Sequence, residues 1–328
     1  MAWPRRSFIT CMIAATADMR DDPLPSWNDC AAKRAMLAFV ARVTDTASPD
    51  FIPAPERIAV FDNDGTLWPE NPVPFQAAFG FDELRRRAAA EPALAESTMV
   101  QAALTGDLAP LLADGYAGLR EVIAHSHADI TTDAFRQSVE AWLAAARHPR
   151  FGRRYDDLTY QPMQEVLRML EGSGFKNFIV SGGGADFMRV WVERVYGIPH
   201  ERVVGSTGQT SFELRDGVPI LTKSLEGLFV NDKHAKPAGI HQFIGRRPVM
   251  CYGNSDGDHA MLQYTTIGNP RPSFGLIVHH TDGAREYAYD AVTASTGRLV
   301  AALAEAPERG WHVVDMKQDW NTVFSPER

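Results

Sequence analysis

The sequence predicts an α/β fold, a doubly wound and mostly parallel sheet with an all-helical domain inserted into it. Three observations carry this expectation. Short apolar, partly β-branched runs alternate with helix-period segments, the pattern of a parallel sheet covered on both faces. Several of those runs end in Asp, Asn, Ser or Gly, and an open α/β sheet binds its ligands just outside the carboxyl ends of its strands. Residues 75–154 change texture to Ala, Leu and charged helix formers with almost no strand signal. The expected organisation is an export signal over residues 1–17, a sheet domain built from 18–74 and 155–328, and a helical insert over 75–154. A chain of 328 residues is long enough for two such units.

In chain order, the apolar run Ile58-Ala59-Val60-Phe61 is the first strand. Five helices are expected in the insert, over 75–91, 92–104, 107–112, 116–125 and 133–147. Residues 162–172 follow as helix, 175–180 as strand, 185–196 as helix, and a strand starts at Arg202. Asp216-Gly217 between two β-rich runs signals a hairpin over 211–222. Pro237 is a favoured first helical residue, so a helix is expected to start there. Strands at 274–278 and 311–315 extend the sheet, with a helix around 298–304 between them.

The most informative segment is Phe61-Asp62-Asn63-Asp64-Gly65-Thr66-Leu67. Side chains two apart in extended backbone point the same way, so Asp62 and Asp64 can converge beyond the end of the strand. Two such carboxylates repel unless a cation or a shared proton joins them, and Mg²⁺ prefers oxygen ligands of this kind. A plain surface turn accounts for Asp-Gly but not for the whole string. Further along, a strand runs into Ser181-Gly182-Gly183-Gly184, which offers a hydroxyl and free backbone N–H groups to a phosphoryl oxygen. Lys233 and Lys236 precede a helical pattern, and an apolar run ends in Gly253-Asn254-Ser255-Asp256-Gly257-Asp258.

In this order, these segments resemble the four motifs of the haloacid dehalogenase superfamily, over residues 57–261. The resemblance implies a Rossmann-like core whose phosphatases use the first Asp, here Asp62, as nucleophile and the second, Asp64, as general acid and base. It also implies Ser181 with Gly182 and Gly183 as the phosphate site together with Gly65 and Thr66, and Lys236 as the charge-neutralising lysine, with Lys233 its rival. The metal end would be Asp62, Asp64, Asn254, Asp256 and Asp258 around Mg²⁺. Asn254 departs from the pattern, which commonly has Asp there; its amide oxygen still suits a hard cation. Asp256 could take over part of that task, and Asp258 matches the position that orients the lysine or a metal-bound water. Because the insert lies between the first and second motifs, it resembles the helical cap of the phosphoserine phosphatase-like branch. In that branch a Glu shortly after the first motif binds the substrate amine; Glu70 lies one position short of it. Arg150, in a basic run with Arg147, Arg153 and Arg154, is a further candidate for drawing in an anionic substrate, although such runs are usually solvated faces.

The resulting expectation is a Mg²⁺-dependent phosphomonoesterase working through an aspartyl-phosphate on small metabolites, phosphoserine-like or broad in range. The alternatives are a phosphotransferase using the same intermediate and a noncatalytic binder of phosphorylated ligands. A net charge of −8 gives no footprint for nucleic acid, and no stretch is long enough to span a membrane. The histidines show no zinc spacing, and His280 near Asp282 is the weakest of the candidates. The Met1–Ala17 stretch, with Arg5-Arg6, a short apolar run and Ala15-Thr16-Ala17, resembles a twin-arginine export signal, so a periplasmic location is expected, with a cytoplasmic one as the alternative. Cys251, inside a core strand, is expected to be a buried thiol.

Overall fold

The first strand, β1 (Ile58–Phe61), is buried at all four residues because it runs through the middle of the sheet. Ala59 and Phe61 join one apolar cluster while Ile58 and Val60 join another, the two-residue period that places a core on each face. The computed structural model describes residues 22–127, 130–224, 227–293 and 295–327. Its other strands are β2 (Lys176–Gly184), β3 (Val203–Ser206), β4 (Thr210–Arg215), β5 (Val218–Lys223), β6 (Met250–Gly253), β7 (Phe274–His279) and β8 (His312–Asp315). Six of them form a sheet in the order β3-β2-β1-β6-β7-β8, with every pair parallel. The chain builds outward from β1 on one side, then crosses to β6 and builds outward on the other. The strand order therefore reverses at β1 and β6, where α/β sheets open a crevice at their carboxyl ends.

Register brings the motifs level. Phe61 pairs with Ile179 on one side and Tyr252 on the other, and the Phe61 and Tyr252 rings stack at 4.3 Å. Asp62 follows Phe61 directly, and Ser181 and Asn254 lie two residues past Ile179 and Tyr252, so all three emerge at the same edge. β4 and β5 form the expected hairpin as a separate two-stranded sheet, with Asp216 and Gly217 both at positive φ in the turn.

The structure corrects several element boundaries. The helix expected over 185–196 is broken into Ala185–Arg189 and Val192–Tyr196, because Trp191 leaves helical geometry to stack its buried ring on Trp68. The two helices expected at 107–112 and 116–125 are one, Leu108–His127; a glycine within a helix costs only about 1 kcal/mol, so Gly115 does not break it. The helix around 298–304 starts later, at Ala301, and runs to Arg309. The helix after β5 starts at Ala235 and places Pro237 within its first turn, where the missing N–H leaves no bond unmade. A further helix, Ala31–Thr44, packs Met36, Phe39 and Val43 into the core beside Tyr252. Between β1 and β2 the helices Phe75–Ala90, Thr98–Thr105, Leu108–His127 and Thr132–Ala145 occupy the stretch expected to be helical. The expected export signal lies outside the described residues. Cys251 is a buried free thiol. Among the described residues no helix is long and apolar enough to cross a membrane.

Candidate active site

A cavity of about 410 Å³ opens over the carboxyl ends of β1, β2 and β6 and is lined by Asp62, Asp64, Ser181, Gly182, Gly183 and Lys236 among others. The acidic pair is delivered by the end of β1. Asp62 N–H donates to the Tyr252 carbonyl at 2.9 Å, the last ladder bond before the chain turns. Gly65 takes φ of +77°, a conformation glycine adopts at no steric cost, and its N–H closes the turn on the Trp68 carbonyl at 2.7 Å. The Trp68 indole N–H then donates to Asp64 Oδ1 at 2.7 Å and holds that carboxylate at the cavity wall.

Lys236 is the buried centre of charge. Its Nζ lies 2.6 Å from Asp62 Oδ1 and 2.6 Å from Asp258 Oδ1. The competing candidate, Lys233, is exposed and sits at φ of +53°. Asp258 has no oxygen to spare, because its Oδ2 accepts from the backbone N–H groups of Asn254 at 2.9 Å and Ser255 at 3.1 Å. It therefore orients the lysine and the loop after β6 together.

On the other side of Asp62, Ser181 Oγ accepts from the Gly183 N–H at 3.0 Å, and the Ser181 carbonyl accepts from Asn231 Nδ2 at 3.1 Å. The glycines continue β2 with a register shift instead of forming a turn, and the helix that follows is only five residues long. The phosphate-binding potential of this side rests on the hydroxyl and the backbone N–H groups. Gly184 N–H is already taken by Gln76 Oε1 at 2.6 Å, a contact from the first helix of the insert.

Four sequence-predicted residues have partners that the chain alone did not show. Arg150 does not line the cavity; it donates to the carbonyls of Gly283 and Ala284 and lies 4.6 Å over the Tyr287 ring. Asp256 borders the cavity, but its Oδ1 accepts from Val300 N–H and Ala302 N–H, both at 3.0 Å, and so is committed to the start of the helix Ala301–Arg309. Glu70 lies at the cavity floor with its oxygens engaged: Oε1 accepts from Asn254 Nδ2 at 2.6 Å and Tyr289 OH at 2.8 Å, and Oε2 from Thr296 Oγ1 at 2.7 Å. That corrects its expected role at a substrate amine. Thr66 is buried beneath the cavity, where Oγ1 donates to Asn254 Oδ1 at 3.2 Å.

The sequence reading missed Trp68, Asn231, Tyr289 and Thr296, and understated His280. His280 Nε2 donates to the Gly65 carbonyl at 2.7 Å and Nδ1 faces Glu286 Oε2 at 3.0 Å, which pins the motif turn from behind. Trp68 and Asn231 sit inside motif segments and could have been proposed. Tyr289 and Thr296 lie in a loop more than 200 positions from Glu70 and carry no local signal.

The electrostatics point to missing positive charge. Burial, then the Asp258 carboxylate, pushes Asp62 well above the ordinary carboxylate range, while Lys236 pulls it back. Burial raises Asp64 to about 6 against the opposing Trp68 bond. Asp62, Asp64 and Asp258 thus all draw on the Lys236 ammonium, and an excess of buried negative charge is relieved by protons or a cation. The local donors are all oxygens, which fits Mg²⁺. Among the described residues no group of three His, Cys, Asp or Glu side chains is placed to hold a metal by itself, so a cation here needs the Asn254 amide oxygen or a backbone carbonyl as well.

The sheet order, the Asp pair at β1 and the lysine-bridged carboxylates define a hydrolase-type site on a doubly wound sheet. The haloacid dehalogenase-like hydrolase family model matches residues 59–263, more than half of the chain, and the protein belongs to that family. No curated protein matches it. Among solved structures it is similar to a conserved protein of unknown function from Anaerococcus prevotii DSM 20548, 14% identical, with 86% of this chain and 91% of that chain covered and a TM-score of 0.55. It also resembles a protein of unknown function from Bordetella pertussis Tohama I, 16% identical, covering 80% of this chain and 99% of that one at a TM-score of 0.48. A phosphoserine phosphohydrolase-like protein from Francisella tularensis subsp. tularensis SCHU S4 is 14% identical, with 77% and 98% covered and a TM-score of 0.40. At these identities the Anaerococcus likeness concerns the fold.

Proposed function

We propose that this protein hydrolyses small phosphomonoesters through an aspartyl-phosphate on Asp62, in the manner of the phosphoserine phosphatase-like branch. The observation that carries the reading is the buried Asp62–Lys236–Asp258 chain of 2.6 Å contacts, whose Asp62 and Lys236 line the cavity together with Asp64 and Ser181. The Asp62 oxygen not bound to Lys236 attacks phosphorus while the P–O bond to the leaving group breaks, and Asp64, raised to about 6, gives the leaving oxygen its proton. Asp64 then takes a proton from the water that attacks phosphorus, as the Asp62–phosphate bond breaks to release phosphate and regenerate Asp62. Lys236, the Ser181 hydroxyl, which the Gly183 N–H holds in place, and the Gly182 N–H offset charge on the transferring oxygens. Mg²⁺, held by Asp62, by Asp64 through its backbone or carboxylate, and by Asn254, would supply further positive charge against the phosphoryl oxygens.

The helices of residues 75–154 are read as a cap. Gln76, Ala77, Ile123 and Phe135 from that stretch line the cavity, together with Phe187 and Leu228 from the sheet domain. Such a cover favours small esters and limits water during the first step. With Glu70 engaged elsewhere and Ala77, Ile123, Phe135, Phe187 and Leu228 supplying apolar surface in the cavity, aryl and alkyl phosphates are expected to outrun phosphoserine. The test is phosphate release from a panel of such esters with Mg²⁺ and with EDTA, using Asp62→Asn as the blank. Release that needs Mg²⁺ and vanishes in the variant supports the reading; equal release from the variant overturns it. From its amino-terminal pattern alone we also propose export to the periplasm, to be checked by cell fractionation with Arg5→Lys/Arg6→Lys as the comparison.

A further inference from the structure

The Glu70 carboxylate is 3% exposed and has no basic side chain among its hydrogen-bond partners, which are Asn254, Tyr289 and Thr296. Burying a carboxylate with only neutral donors is costly, so its position calls for a cause. Its shortest contact is with the Asn254 amide, the residue standing where the family pattern commonly has Asp. An amide has two chemically opposite ends. Here Nδ2 is directed at Glu70, and Oδ1 has only the Thr66 hydroxyl, which leaves one of its lone pairs unused. Were the amide reversed, its oxygen would face a carboxylate at 2.6 Å, whereas Thr66 could accept from the amide as readily as it donates. Glu70 alone therefore decides which end of Asn254 is available to a cation.

We propose that Glu70 is a positioning residue for the metal: it locks the Asn254 amide with its oxygen free and returns to the site the negative charge that Asn254 lacks. Glu70 and Asn254 together do the work of a single Asp, with the charge moved one residue outward. The framework behind Glu70 keeps it there. Tyr289 stacks on His280 at 4.3 Å, and His280 holds the Gly65 carbonyl of the motif turn at 2.7 Å. A Cβ on Gly65 would lie 2.1 Å from Asn254 Nδ2 and 2.4 Å from Glu70 Oε1, so the glycine is also what lets the pair sit against the turn.

The inference rests on the Mg²⁺ reading above, and its test separates the two. Mg²⁺ binding is followed by titration calorimetry, and the melting temperature of the metal-free protein is measured alongside. Glu70→Met, of similar length with no acceptor, is expected to bind Mg²⁺ at least about tenfold more weakly than the parent, as loss of an outer-shell partner does. Glu70→Gln keeps an acceptor oxygen and should recover most of that loss. Asn254→Asp alone places two carboxylates against each other and should lower the metal-free melting temperature; Glu70→Gln/Asn254→Asp, which exchanges amide and carboxylate, should restore it and bind Mg²⁺ at least as well as the parent. If Glu70→Met does not fold, the exchange pair decides. Parent-like Mg²⁺ affinity in Glu70→Met, or no gain from Asn254→Asp to the double variant, overturns the inference while leaving the hydrolase reading intact. Absence of Mg²⁺ binding by the parent overturns both.

Discussion

Asp62 has two differently built sides. Toward β2 the chain presents mostly neutral groups, the Ser181 hydroxyl, glycine N–H groups and the Asn231 amide, with the Asp232 carboxylate packed against Gly182. Toward β6 they are charged and interlocked: Lys236 joins Asp62 to Asp258, Asp258 holds the Asn254 loop, and Asn254 reaches Glu70. The first side can receive an anion because its hydroxyl and backbone N–H groups are hydrogen-bond donors. The second can receive a cation because it carries more carboxylates than ammonium groups. One strand end thus separates two opposite electrostatic tasks by a few ångströms, and the difference between them is open to measurement.

The largest effect should come from Lys236→Met on the charged side. It leaves Asp62 and Asp258 buried without their shared partner, and breaking a buried pair in this way costs about 3–5 kcal/mol, read from urea unfolding. Ser181→Ala on the neutral side should cost no more than about 1.5 kcal/mol in the same experiment, while weakening inhibition by inorganic phosphate. Similar losses for the two variants would erase the distinction.

The pH dependence sharpens the contrast. In the metal-free protein burial raises Asp64 to about 6 and Glu70 to about 7. A carboxyl with a raised value holds its proton in the fold after losing it in the unfolded chain, so its contribution is complete below the unfolded value and disappears as pH rises through the folded one. Melting temperature without metal should therefore fall between about pH 5 and about pH 8. Asp64→Asn should flatten the lower part of that fall, and Mg²⁺ should stabilise more at the upper end than at the lower. A melt that rises across the interval would contradict this account of the charged side.

A smaller effect is expected from Gly253→Ala. Its Cβ would stand 2.5 Å from the Asp258 Cβ and 2.7 Å from Oδ2, and such overpacking costs about 1–3 kcal/mol by displacing Asp258. Gly182→Ala, whose Cβ would meet nothing closer than Asp232 at 3.4 Å, should be nearly neutral for stability. The pair compares the two sides at the level of single methyl groups.

The strands of the sheet and the acidic pair at the end of β1 were legible in the chain because each depends on local pattern: a two-residue apolar period, glycines after strands, carboxylates two apart. The strand order β3-β2-β1-β6-β7-β8 was not, because it depends on which strands pair. Lys236 was favoured over Lys233 by its place before a helix, and the buried bridge to Asp62 agrees with that. The broken helix at Trp191 was not legible, since its cause is a ring stacking on Trp68 from another element. Arg150 and Asp256 looked available because sequence shows charge but not what already satisfies it. Both have partners contributed by distant loops, at Gly283 and at Val300.

The sequence by itself determined that two acidic residues would stand at the end of a buried strand, followed by a serine-glycine segment and a lysine, because side-chain period and turn chemistry are properties of neighbouring residues. Folding in three dimensions decided how those groups are satisfied: Asp258 with no oxygen left over, Asp256 holding a helix, Glu70 turned from a substrate contact into the partner of Asn254. The reason is physical. A buried polar group must find partners wherever the fold brings them, and for Glu70 they come from Asn254, Tyr289 and Thr296, contributed by segments far along the chain.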